Sequence, residues 1–122
     1  MQYLVDMRLA DSGRSTTPAE GLIFLEQYIL PTLEQCQQLA GDQRIVAGGP
    51  ISGAIGLAFI IQAESALEID AIVSGLPVWP RMLTTVTPLT TFADRAAALQ
   101  PRLARLRAGL TPGEALASGV AK

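Results

Sequence analysis

The chain has no histidine, a single cysteine and only 16% charged residues, and each shortage removes a class of function. A lone Cys36 excludes any internal disulfide, and without histidine no zinc-ligand set of the usual spacing can be assembled. Cys36 falls within a helical pattern, where it reads as core or surface filler and not as a catalytic thiol. No apolar run approaches the roughly 18–20 residues that span a bilayer, and the stretch from Ile55 to Ile61 is only strand length. The opening MQYLVDMRLAD lacks a basic start followed by a long apolar segment, so no signal peptide and a cytoplasmic location are expected. Nine Lys and Arg against eleven Asp and Glu leave a net charge of −2, which makes nucleic acid a poor partner.

What the sequence has in quantity is apolar surface. At 122 residues and 49% hydrophobic, it is long enough for one domain with a generous core and too short for two. Its charge is uneven, with four basic against nine acidic residues up to position 90 and five against two beyond it. An acidic body with a basic tail is suited to attracting itself in an oligomer.

The most patterned stretch is ESALEIDAIVSGLPVWPRMLTTVTPL, from Glu64 to Leu89. Ser65 and Glu68 form a capping box at a helix start. Leu67, Ile69, Ala71, Ile72 and Val73 supply an apolar side until Gly75 permits the closing turn. Pro77 and Pro80 remove two donors and push Leu76 and Trp79 out of the helical region, which predicts an extended corner. The β-branched residues after Arg81 read as a strand.

The rest of the chain follows in order. Residues 2–9 alternate as a strand, with Tyr3, Val5, Met7 and Leu9 on the core face and Leu4, Asp6 and Arg8 on the other. Thr17-Pro18-Ala19-Glu20 is a second capping box, opening a helix that runs to about Leu39. Leu22, Leu25, Ile29, Leu33 and Cys36 make its apolar stripe, and Pro31 predicts a kink. Arg44–Ala47 reads as a short second strand. GGPISGAIG lacks the spacing and the Lys-Ser/Thr of a phosphate loop, so a hairpin connection is expected there. Leu57–Gln62 is apolar enough to be a central strand covered on both faces.

The order β-α-β-β-α-β is the ferredoxin-like arrangement, an α+β fold with a four-stranded antiparallel sheet and two helices on one face. The domain is expected over residues 1–90. Its second sheet face is too apolar to be left in water, which predicts self-association. A helical arm follows over 91–122, with Phe92, Ala96, Leu99, Leu103, Leu106 and Leu110 at helical spacing. Pro101 is expected to interrupt it, and Thr111-Pro112-Gly113-Glu114 to begin a last short helix. The arm reads as a piece that packs on a neighbouring subunit, in preference to a membrane-surface helix.

The acidic helix start followed by Leu76-Pro77, an apolar pair, Pro80, Met82, Val86 and Leu89 resembles the muconolactone isomerase family of the dimeric α+β barrel superfamily. Val5-x-Met7 in the opening strand is a weaker echo. The resemblance implies two sheets closing on each other in a homodimer or larger ring. It also implies a double-bond shift in a small unsaturated lactone by proton transfer, with no metal or organic cofactor. Such chemistry needs a base near the carbon acid and a positive or hydrogen-bonding group to hold the enolate.

With no histidine available, the candidates are Asp6 as base, with Arg8 and Arg81 as catalytic partners. Arg44, Trp79 and Ser52 are candidates for binding the substrate, a small organic molecule. The family's His and Lys on the first strand align here with Leu4 and Asp6, and its aromatic after the second proline becomes Arg81. The scaffold motif is thus present while the polar cleft has changed, so two readings stand side by side. One is a cofactor-independent isomerase, the other a non-catalytic oligomer that shelters a small molecule or supports a partner on the same fold. A third reading is a relative of the YCII-type proteins, whose glycine-rich hairpin resembles GGPISG, although their His and Asp have no recognisable counterpart.

Overall fold

The alternation of QYLVDMRL produces β1 (Gln2–Leu9) in the computed structural model, which describes residues 1–110 and 113. Tyr3, Val5 and Met7 are buried, and Leu9 packs against the same core. After a short 3-10 turn (Asp11–Gly13), Thr17 caps α1 (Pro18–Phe24) by accepting from the Glu20 amide at 3.2 Å. A π turn (Leu25–Ile29) leads into α2 (Leu30–Gly41). Two strands follow, β2 (Ile45–Pro50) and β3 (Gly56–Gln62), then α3 (Ala66–Ser74), a 3-10 turn (Trp79–Arg81) and β4 (Met82–Leu89). The four strands form one antiparallel sheet in the order β2-β3-β1-β4. This is the expected ferredoxin-like α+β fold.

The long helix departs from its expected phase. Its irregularity is the π turn, closed by the Leu30 amide on the Leu25 carbonyl just ahead of Pro31, which has no N–H to give an α-turn. Around this turn the inward row becomes Phe24, Tyr28, Thr32 and Cys36, flanked by Ile29 and Leu33. Leu22 and Leu25, expected inside, are exposed. In α3 the buried side is Ile69 and Val73, while Leu67 at its first turn is 81% exposed.

Both capping boxes form, but their reciprocal arms reach one residue further back than the simple pattern. Glu20 accepts from the Thr16 amide at 2.7 Å, and Glu68 from the Glu64 amide at 3.0 Å. The corner after α3 is not extended: Leu76, Trp79 and Arg81 each donate three residues back, to Val73, Leu76 and Val78. Pro80 fits because a 3-10 turn makes no use of its missing donor.

The β2 strand is longer than expected and takes in Gly48, Gly49 and Pro50, with a register shift between Ile45 and Ala47. Gly48 sits at φ +110°, and a Cβ there would lie 2.2 Å from the Ala58 carbonyl oxygen. Glycine is therefore demanded by the positive φ and by the close approach of the β3 backbone. The hairpin connection runs Ile51–Ile55 and is tied by the Ile51 amide to the Gly56 carbonyl at 2.9 Å.

One face of the sheet carries the helices. On the other, Leu4, Asp6 and Arg8 of β1 lie beside Ile60, Ala58 and Gly56 of β3 and Thr87, Thr85 and Leu83 of β4. Within Met1–Leu89, α1, α2 and α3 pack on the side of Leu57, Phe59 and Ile61, so that side of β3 is buried while Ala58 and Ile60 on the other stay half-buried, and the cover expected on both faces of β3 is seen on one.

Met1–Leu89 is one unit, and a second begins at Thr90. In the second, Thr91 caps α4 (Phe92–Ala108) by accepting from the Asp94 amide at 3.0 Å. Pro101 does not divide α4, since a proline removes one donor and leaves the neighbouring turns bonded. No described residue of α4 is buried. The helix expected at Thr111-Pro112-Gly113-Glu114 lies, apart from Gly113, outside the described residues.

Candidate functional site

The inward phase of α2 and the tip of the β2–β3 hairpin leave a gap between helix and sheet. It is a cavity of about 180 Å³, walled chiefly by Ile29 and Leu33 from the helix, Ile55 and Leu57 from the hairpin, and Val78 and Met82 from the corner and β4. Thr32 supplies its one side-chain hydroxyl. That hydroxyl is committed, donating to the Tyr28 carbonyl at 2.7 Å and accepting from the Val78 amide at 3.0 Å. No ionisable side chain is among the lining residues. Sequence reasoning did not find this site. Its available signal was Thr32, a polar residue in the inward row between Tyr28 and Cys36.

The residues picked from the sequence occupy separate places. Asp6 and Arg8 form an ion pair on the open sheet face, Nε to Oδ1 at 3.1 Å and Nη2 to Oδ2 at 3.4 Å. Arg81 lies on the helix side of the sheet, its guanidinium 4.6 Å from the Tyr28 ring centroid and 5.1 Å from that of Phe24. It also donates to the Gly13 carbonyl at 3.4 Å. Gly13 is packed so tightly there that a Cβ would meet the Arg81 carbonyl oxygen at 2.5 Å. Trp79, a candidate for binding the substrate, lies in the corner turn and is 42% exposed.

Arg44 pairs with Glu68, and its carbonyl accepts from the Gln62 amide, level with the first residue of β1. The Arg81 carbonyl accepts from Ala10, just past the last. Eight strand residues separate these ends, roughly 25 Å at 3.3 Å per residue. Ser52 is exposed in the hairpin connection. Asp6 and Arg8 are thus brought together, and Arg44 and Arg81, at opposite ends of β1, do not meet each other.

Electrostatics follow from these contacts. The Glu64 amide, and then Arg44, hold the Glu68 carboxyl below the usual carboxylate range. The Thr16 amide and hydroxyl do the same for Glu20. Burial pushes the Cys36 thiol up, away from the thiolate a nucleophile needs. Among the described residues, no three of Cys, Asp and Glu come together as a metal-ligand group, and no helix is long and apolar enough to cross a membrane.

The fold and the apolar cavity define an α+β protein of ferredoxin-like topology with a small-molecule-sized space between its layers. No family model and no curated protein matches the chain. Among solved structures it is similar to 5-chloro-2-hydroxyhydroquinone dehydrochlorinase from Burkholderia phenoliruptrix AC1100, in complex with 2,5-dihydroxybenzoquinone, with a TM-score of 0.52. The two share 19% identity over 77% of this chain and 98% of that one, which establishes the likeness of fold.

Proposed function

We propose that this protein is a muconolactone isomerase-like scaffold that holds a small, largely apolar organic molecule between its helices and its sheet. The observation behind this reading is the cavity wall, without an ionisable group and apolar but for the Thr32 hydroxyl, which is already committed to two backbone partners. Apolar engineered cavities of about 150 Å³ take up benzene, so about 180 Å³ suits a single ring. The solved structure of similar fold holds a one-ring quinone, which agrees in size. Titrating one-ring lactones and phenols into methyl-labelled protein should shift the Ile29, Leu33 and Val78 signals and raise Tm. Ala54→Phe, which puts a ring into the cavity wall, should abolish both.

A second reading, the isomerase, draws on the open sheet face. Asp6 and Arg8 there form a two-bonded carboxylate–guanidinium pair amid Leu4, Ala58, Ile60 and Leu83. A second copy closing on that face would desolvate the pair and leave Asp6 as a base with Arg8 to hold the anion. Ala54 and Ile55 also wall a neighbouring depression lined by Arg8 and Arg14, so Arg8 is one hairpin wall from the cavity. Arg81, Arg44, Trp79 and Ser52 would then act in orienting or packing. Hydrogen exchange into unsaturated lactones in deuterated water, present in wild type and lost in Asp6→Asn, would select this reading. Ligand-induced stabilisation without any exchange selects the binder.

A further inference from the structure

Leu33, Pro50 and Leu57, which wall the cavity, also wall a second space of about 270 Å³, bounded further on by Cys36, Ala40 and Gly48. Two residues of β2 at the wall of the second space, Gly48 and Gly49, carry no side chain to fill it. Gly48 faces Phe59 in the register, on the helix side of the sheet, and its backbone conformation excludes any side chain. The strand edge opposite α2 is therefore bare where an ordinary residue would fill the layer. Both spaces lie along α2, and from Ile29 to Ala40 the helix advances roughly 16 Å at 1.5 Å per residue. A single ring occupies only the first.

Resting on the binding reading above, we propose that the natural ligand is an elongated two-part molecule. A single ring lies between Ile29 and Met82, and an apolar tail or second ring passes the Leu33–Pro50–Leu57 waist to lie under Gly48. Thr32 is already satisfied, so the ring end gains little from hydrogen bonding to the wall. Gln37, exposed at the rim of the second space, is the side-chain amide available to a polar group on the tail. Selectivity for length, and not for charge, follows.

The test is calorimetric titration of the 122-residue chain with γ-alkyl butyrolactones of increasing chain length. Each methylene that enters the second space should tighten Kd about fourfold. The gain should stop once the space is full. Ala40→Phe should end it at shorter chains while leaving the γ-methyl lactone's Kd unchanged. Cys36→Leu, a smaller intrusion, should act the same way to a lesser degree. A Kd independent of chain length, or one whose length dependence ignores both substitutions, overturns the two-part ligand but leaves one-ring binding standing. Failure of every lactone, short and long, to bind wild type overturns both.

Discussion

Replacing Thr32 by valine isolates one hydroxyl. Thr32 is 1% exposed, and valine has nearly its shape, so packing hardly changes. What goes is the bridge from α2 to the corner before β4, two bonds joining Tyr28 and Val78 through one oxygen. The Tyr28 carbonyl accepts that hydroxyl from within its own helix, so its loss costs little. The Val78 amide is different, because it lies in a buried residue and has this oxygen as its partner. Stranding a buried donor costs about 1–3 kcal/mol, so we expect about 2 kcal/mol. For a unit the size of Met1–Leu89 that lowers Tm by roughly 8–16 °C. Urea and thermal unfolding at fixed protein concentration, followed through the lone Trp79 beside the corner, measures it. Thr32→Ser keeps the oxygen and should lose about 1 kcal/mol, for its methyl group. A valine variant within 0.5 kcal/mol of wild type, or a serine variant as weak as valine, would refute the argument.

Gly48→Ala should destabilise by at least about 2 kcal/mol in denaturant titrations, since a side chain at that φ collides with the β3 backbone. Gly49→Ala, which meets nothing within 4 Å, is the matched control. Glu20 and Glu68 have carboxyls held below their ordinary range, so the unfolded chain binds protons more readily than the native one. Their contribution is complete above the usual carboxylate pKa and disappears as pH falls through the lowered native values. The urea midpoint should drop across that acid window, and Glu20→Gln with Glu68→Gln should flatten the drop. Self-association through the open sheet face predicts that Ile60→Arg, beside Leu4, reduces the sedimentation coefficient without unfolding the chain. An unchanged coefficient would place the interface elsewhere.

The fold was legible because its elements announce themselves locally. Alternation in residues 2–9 assigns Tyr3, Val5 and Met7 to the core whatever they pack against, and Ser65 with Glu68 starts a helix using its own neighbours. The site was not legible in the same way. A stripe read at constant 3.6-residue spacing places Leu22 and Leu25 inside, but the π turn shifts the phase and substitutes Phe24 and Tyr28. Arg81 invites a catalytic reading in sequence, and only the folded chain shows its guanidinium against two rings that precede it by more than fifty positions.

By itself, then, the sequence determined the order of strands and helices, the caps at Thr17 and Ser65, the glycine-rich hairpin and the face of β1 that seeks the core. These depend on neighbours within a few residues, where pattern and chemistry act together. Tertiary structure alone decided the phase of the long helix, the partner of Thr32, the separation of Arg44 from Arg81 and the cavity beneath the hairpin. Each of these depends on side chains far apart in the chain meeting at fixed distances, and no local periodicity encodes such a distance.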